Sequence, residues 1–179
     1  MIMRKFRNKG FTLIELIVAI GILGILAMVA IVTLNPFAQF QKANDLRRKS
    51  DLAQMQRVLE SYYEDNKAYP NMASCNNVAF QIQGDNQDGN NCIEWGSSWQ
   101  PYMNLVPKDP VSGVKYAYIP SSNLQSYYLY ASLDRASSEP KACNSGDWCT
   151  SISASNKSQN PCGVNKKCNY GVSSPDVTP

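Results

Sequence analysis

The sequence contains no histidine, and this absence removes the commonest catalytic base at neutral pH and the commonest zinc ligand. Ser–His and Cys–His nucleophile pairs are therefore excluded. No two cysteines have the C-x-x-C spacing of many zinc sites, since both close pairs are C-x5-C. The chain also lacks a nucleophile motif and a paired-carboxylate signature. We therefore expect neither an enzyme nor a metal site, and no cofactor.

Positive charge is concentrated at the start of the chain, at Arg4, Lys5, Arg7 and Lys9. Without these four of the 17 basic residues, 13 basic side chains face 14 acidic ones, so the remainder is nearly neutral. A nucleic-acid-binding domain needs a basic face on its folded part. The isoelectric point of about 8.5 reflects the first ten residues, and no nucleic-acid partner is expected.

One long apolar run covers residues 11–34, and its single charged residue is Glu15. As a helix, these 24 residues extend ~36 Å, enough to cross a bilayer with some tilt. The apolar part of a cleaved secretory signal has only ~7–15 residues. We expect the run to remain attached as a membrane helix in which Glu15 is costly and lacks a partner.

All six cysteines follow this run, and an even number on one side of a membrane favours disulfides in an oxidising compartment. They are Cys75, Cys92, Cys143, Cys149, Cys162 and Cys168. Basic residues flank the run on both sides, so the cysteines decide the orientation and place the N-terminus in the cytoplasm. Cys75–Cys92 is expected to close the first loop of the head. The last four cysteines allow three pairings, among which the sequence does not choose.

A second helix is predicted from Asn35 to about Glu64, with Asn66 and Pro70 marking its end. Leu52, Met55, Leu59 and Tyr62 form an apolar stripe at spacings of 3, 4 and 3. Asn35-Pro36 predicts a kink or a loosened turn between the two helical segments. The charged run 47–49 is expected to form a solvated helix face.

The remaining sequence predicts a small antiparallel hairpin from Val114–Ile119 and Ser126–Leu133. In its second strand, the side chains that share one face are expected to pack on the apolar stripe; they are Tyr127, Leu129, Ala131 and Leu133. Trp95, Trp99 and Trp148 are interpreted as packing residues. Residues 71–104 and 134–179 are rich in Asn, Ser, Gly and Pro and are predicted to be loops.

The segment KGFTLIELIVAIGILGILA, Lys9 to Ala27, closely resembles the N-terminal signature of type IV pilins and of type II secretion pseudopilins. Leu34–Pro70 and Val106–Tyr118 resemble the major-pseudopilin subgroup more weakly. The resemblance implies that a prepilin peptidase cleaves between Gly10 and Phe11 and that the Phe11 amine is then N-methylated. It further implies that Glu15 pairs with the Phe11 amine of a neighbouring copy, which makes Glu15 an assembly determinant.

Many major pseudopilins bind calcium near the C-terminus, but the four-cysteine tail of this chain departs from their usual ending. Asp134 and Asp147 are possible oxygen ligands, although two such carboxylates are typical of solvated turns. Gly84–Asn91 misses the register of an EF-hand loop. No calcium site is assigned.

These observations predict an α+β, pilin-like fold in which one long N-terminal helix packs on a small antiparallel sheet with disulfide-stapled loops. The expected domains are a leader (1–10), a transmembrane and polymerisation helix (11–34), an amphipathic helix (35–66) and an extracytoplasmic head (67–179). The predicted function is that of a filament subunit, in a surface pilus or in a secretion pseudopilus. The alternative is a signal-anchored extracytoplasmic binding protein that does not polymerise.

The expected partners of such a subunit are further copies of itself, the prepilin peptidase and an assembly platform in the inner membrane. The chain would first be a single-pass protein of the bacterial inner membrane. It would then enter a filament in the periplasm or at the cell surface.

Overall fold

The structure is a computed structural model that describes residues 10–75, 78–84, 92–175, 177 and 179, without the side chains of Thr33, Leu34, Cys75 and Val78. The chain forms two compact units, divided between Phe40 and Gln41. The predicted leader, apart from Gly10, lies outside the described residues. So does the segment that was compared with an EF-hand loop, apart from Gly84.

The first unit contains helix α1, Leu13–Leu34, which is apolar on all sides. Its large apolar side chains between Leu13 and Val32 are all exposed, from 52% at Val18 to 77% at Val32. The span Leu13–Val32 has 20 residues and a mean hydropathy of 2.8. Length and composition therefore allow α1 to cross a membrane, and a helix that is apolar all round needs lipid or protein around it.

Helix α2, Pro36–Asn66, begins directly after Asn35, whose left-handed backbone (φ 41°) ends α1. Proline suits the first position of a helix because its missing N–H has no intrahelical acceptor there. The predicted interruption at Asn35-Pro36 and the predicted end at Asn66 are both confirmed. In the second unit, Leu52, Met55 and Leu59 of α2 are at most 1% exposed, which confirms the apolar stripe.

Two strands follow α2 in a region that was predicted to be a loop. Strands β1, Met72–Cys75, and β2, Val78–Ile82, pair antiparallel, with Met72 opposite Ile82 and an irregular register before Cys75. The loop prediction for residues 71–104 is wrong over these strands. Four-residue and five-residue strands carry too few alternations for a period-2 pattern to stand out.

The main sheet has three antiparallel strands in the order β3-β4-β5. Strands β3, Ala117–Pro120, and β4, Tyr127–Ala131, form the predicted hairpin, with Tyr118 opposite Leu129. Strand β5, Tyr170–Ser173, joins β4 from the tail, so the loop prediction for 134–179 is wrong there. The rest of the tail contains a short helix α3, Ala154–Ser158, and 3-10 turns at Ala136–Ser138 and Cys143–Gly146.

Strand β4 has a core on each of its faces. Tyr127, Leu129 and Ala131 pack in one cluster with the α2 stripe and Leu133, as predicted. Tyr130 faces the second cluster, which includes Phe80 and the tail cysteines. Trp99 is 2% exposed in the first core, and the other two tryptophans pack at the edges of the two cores, which confirms the packing interpretation.

Candidate functional site

The N-terminal turn of α1 is held by reciprocal hydrogen bonds between Thr12 and Glu15. The Glu15 amide donates to Thr12 Oγ1 (3.3 Å), while Glu15 Oε2 accepts from the Thr12 amide (3.1 Å) and the Thr12 hydroxyl (3.0 Å). This arrangement is a capping box, whose sequence pattern is Ser or Thr followed three residues later by Glu or Gln. Glu15 was expected to lack a partner, and the T-x-x-E pattern at Thr12 is the signal that the sequence interpretation missed.

The capping box leaves part of the Glu15 carboxylate available. Oε1 accepts no hydrogen bond from the described residues, and the side chain lies in the first turn of α1, where the helix dipole favours negative charge. The site therefore has room for one more cationic donor. A carboxylate that holds its own helix end can also bind an amine from outside the chain.

The predicted cleavage position lies just before this turn. Gly10 and Phe11 are both exposed and non-helical, and Phe11 is 87% exposed. Exposed, irregular backbone is the preferred substrate of proteases. A Cβ atom added to Gly10 meets no atom within 4 Å, so the described fold does not itself require glycine there.

The second unit has an ionic centre that the sequence interpretation placed wrongly on a solvated face. Arg48 is fully buried, and its guanidinium meets three aspartates. Nε and Nη2 donate to the two carboxylate oxygens of Asp109 at 2.7 and 3.1 Å. Nη1 donates to Asp45 Oδ1 (3.0 Å) and to Asp134 Oδ2 (2.8 Å). The prediction of solvation holds for Arg47, whose side chain is 62% exposed.

The three aspartates have further partners, which makes this buried charge network tolerable. Asp45 accepts hydrogen bonds from the backbone amides of Asp134 and Arg135, at 2.8 and 2.9 Å. Asp109 accepts from the Val111 amide at 2.8 Å. Burial opposes ionisation of Asp134, but hydrogen bonds and charge from Arg48, then Lys166, outweigh it and hold the pKa of Asp134 below its usual value.

The network fastens three parts of the head together. Asp45 and Arg48 lie on α2, Asp109 lies in the turn before β3, and Asp134 follows β4. Removing Arg48 would leave two buried carboxylates without their counter-charge. The network can thus fix the position of the head against α2, and no catalytic role follows from it.

The tail is stapled by two disulfides, Cys143–Cys149 and Cys162–Cys168, with Cα atoms 4.8 and 5.4 Å apart. This settles the pairing of the last four cysteines, which the sequence left open. Three of these cysteines are fully buried in the second core. The predicted Cys75–Cys92 bond involves a side chain outside the described residues, so it stays a prediction.

The two carboxylates considered as calcium ligands lie in separate ion pairs. Asp134 binds Arg48 and Lys166, while Asp147 binds Lys167 at 2.9 Å. Over the described ranges, no group of three or more acidic or cysteine side chains is placed to hold a metal ion. Asp134 lies in an exposed turn, as interpreted, but its side chain is only 18% exposed and also pairs with the buried Arg48.

Comparison with known families identifies one feature of the chain. Residues 5–31 match the model of the prokaryotic N-terminal methylation motif, the prepilin signature of type IV pilins and pseudopilins. The match ends before α1 ends and leaves the whole head unmatched. No curated protein and no solved structure is significantly similar to this chain.

Proposed function

We propose that the chain is a prepilin-type filament subunit: it is anchored by α1, cleaved after Gly10, N-methylated at Phe11 and polymerised through its apolar helix. The observation that carries the proposal is the methylation motif over residues 5–31, which coincides with an apolar helix whose side chains find no cover in their own unit. This helix needs first a bilayer and later other copies of itself around it.

The length of α1 supports the membrane stage. Its 20-residue apolar span extends ~30 Å, which equals the thickness of the hydrocarbon core of a typical bilayer. The two disulfides in the tail support an extracytoplasmic head, because structural disulfides persist in oxidising compartments. The chain is then a single-pass protein of the inner membrane, with residues 1–10 in the cytoplasm.

Glu15 supports the assembly stage. Cleavage after Gly10 creates a cationic amine at Phe11, and the free Oε1 of Glu15 in another copy can accept it. In a filament core that excludes water, an unpaired carboxylate is costly, so only copies in the correct register satisfy both charges. Peptidase, assembly platform and further copies are thus the proposed partners. The filament is a surface pilus or a secretion pseudopilus.

Sheared filaments from a bacterium with a prepilin peptidase and an assembly platform test this proposal. We expect the chain in the filament pellet when the peptidase is active and in the membrane fraction when the peptidase is inactivated. A chain that stays in the membrane in both strains, folded and oxidised, contradicts polymerisation. It would instead support a signal-anchored binding protein.

A further inference from the structure

A basic cavity of about 210 Å³ lies beside the N-terminal part of α2 in the second unit. Lys42, Lys49, Arg135 and Ser138 are among its lining residues, together with the carboxylates of Asp45 and Glu139. One water needs only about 10–15 Å³ of such cavity volume, so the cavity has room for a carboxylate side chain.

The two acidic residues of this cavity are already engaged. Asp45 accepts hydrogen bonds from Arg48 and from two backbone amides, and Glu139 pairs with Lys49. The hydrogen bond from Lys49 holds the pKa of Glu139 below its usual value, which keeps it ionised and paired. Among the described residues, no acid pairs with the side chains of Lys42 or Arg135. Two cations therefore remain available at this end.

The other end of α2 carries two exposed acids, Glu64 and Asp65. The Glu64 side chain is 78% exposed and has a long contact of 3.5 Å with Lys67, which is itself 73% exposed. Such a surface pair contributes little free energy. Asp65 has no ion pair within the part of the chain that the structure describes. This end therefore presents available negative charge.

Helix geometry relates the two ends. Lys42 and Glu64 are 22 residues apart on α2, which corresponds to ~33 Å along the axis. At 3.6 residues per turn, the two side chains leave the helix in directions only ~40° apart. They are too distant to meet within one chain, but they lie on the same side of the helix.

We propose that the basic cavity of one copy binds Glu64 of a second copy, which is displaced along the helix axis. This inference rests on the proposed function. Copies that come from one membrane in one orientation are parallel. When one copy is displaced along the axis, the Lys42 end of its α2 faces the Glu64 end of α2 in the other copy. A heterologous contact of this kind does not close on itself and generates an open filament. Arg135 can bind a carboxylate in a forked arrangement, and Lys42 supplies a point charge.

Charge reversal tests the contact in the filament-shearing assay with the full chain. One variant is Lys42→Glu with Arg135→Glu, a second is Glu64→Lys, and a third combines all three. Arg57→Glu is the control, because Arg57 is exposed on the same helix between the two ends. We expect each reversed end to lower the filament yield about tenfold, because like charges then oppose each other. The combined variant should regain most of the yield, and the control should assemble like the wild type.

Recovery in the combined variant also shows that the substituted heads fold. Equal yields in all variants overturn the contact while the proposed function stands. A loss confined to the reversed cavity, with no recovery in the combined variant, also overturns it and indicates another anionic ligand, such as lipid headgroups. Absence of wild-type filaments in the presence of an active peptidase overturns the contact and the proposed function together.

Discussion

Arg48 and Asp109 form a buried, two-pronged ion pair, with Nε–Oδ2 and Nη2–Oδ1 distances of 2.7 and 3.1 Å, although 61 residues separate them. Both side chains are completely shielded from solvent. The pair links α2 to the turn that leads into the sheet, so the position of the head depends on it.

Replacement of this arginine should be strongly destabilising. Arg48→Met keeps the apolar stem but leaves Asp45 and Asp109 buried without a cation, and breaking a buried pair in this way costs about 3–5 kcal/mol. Denaturant unfolding of the full chain in detergent, followed by tryptophan fluorescence, measures this loss. Arg47→Met is the matched control. Because Arg47 is exposed, its replacement should change the free energy of unfolding by no more than about 0.5 kcal/mol. Similar losses in the two variants would contradict the role of Arg48.

Acid should weaken the same network. The pKa of Asp134 is held low in the folded head, so its stabilising contribution is complete above the unfolded value of about 4 and is lost as the pH falls through the lower, folded value. Burial raises the pKa of Asp51, which acts in the opposite direction and offsets part of this loss. We expect the free energy of unfolding to fall between about pH 5 and pH 3.

Asp134→Asn separates the contribution of this residue from that of the other carboxylates. The variant should start less stable at pH 5 and then lose less on acidification, because one low-pKa group is absent. Denaturant midpoints at pH 5 and at about pH 3 measure how much stability each protein loses on acidification. An equal loss in the variant and the wild type would show that Asp134 does not contribute to the acid sensitivity.

The buried stripe of α2 illustrates how far sequence periodicity reaches. Leu52, Met55 and Leu59 were predicted from their spacing, and the same rhythm of 3 and 4 continues backwards to Arg48 and Asp45. Their charge favoured a solvated position in a local interpretation. Burial of the Arg48 charge is offset by ion pairs with the distant Asp109 and Asp134. The sequence does not reveal that these aspartates meet Arg48.

Strand β5 was missed for a related reason. Tyr170–Ser173 has four residues, and its partner β4 lies about 40 residues earlier in the chain. Local composition indicated a loop, and tertiary pairing overrode it. The capping box, in contrast to β5, could have been predicted from the sequence, because Thr12 and Glu15 form the complete T-x-x-E pattern within one turn.

The disulfide pairing can be checked by non-reducing digestion with trypsin. Cleavage after Lys157 separates the two cysteine pairs, and cleavage after Lys166 or Lys167 separates Cys162 from Cys168. We expect the peptide 142–157 to be free and internally oxidised, while the peptides that contain Cys162 and Cys168 stay joined. A peptide 142–157 linked to either of the others would contradict the consecutive pairing. A reduced digest of the same sample is the control.

Substitutions at Glu15 separate its charge from its capping role. Glu15→Gln removes the charge but retains the capping pattern, and Thr12→Ala removes the capping hydroxyl but retains the charge. We expect Glu15→Gln to fail in filament assembly, and Glu15→Ala should fail in the same way. Thr12→Ala should assemble, with a helix end weakened by about 1 kcal/mol.

Sheared filament yield, measured after leader removal has been verified for each variant, decides between the two roles. Normal assembly of Glu15→Gln together with failure of Thr12→Ala would assign Glu15 a local structural role. The ion pair between copies would then lose its support.

The central claim is that the chain is processed as a prepilin, and the intact mass and N-terminal residue of protein purified from membranes test it most directly. Gly10→Ala is the test variant and Gly21→Ala the control, since an added Cβ meets no atom within 4 Å at either position. In a host with an active prepilin peptidase, the wild type and Gly21→Ala should begin at Phe11 with one added methyl group, and Gly10→Ala should retain Met1. A wild-type chain that still carries residues 1–10 in that host would contradict the account.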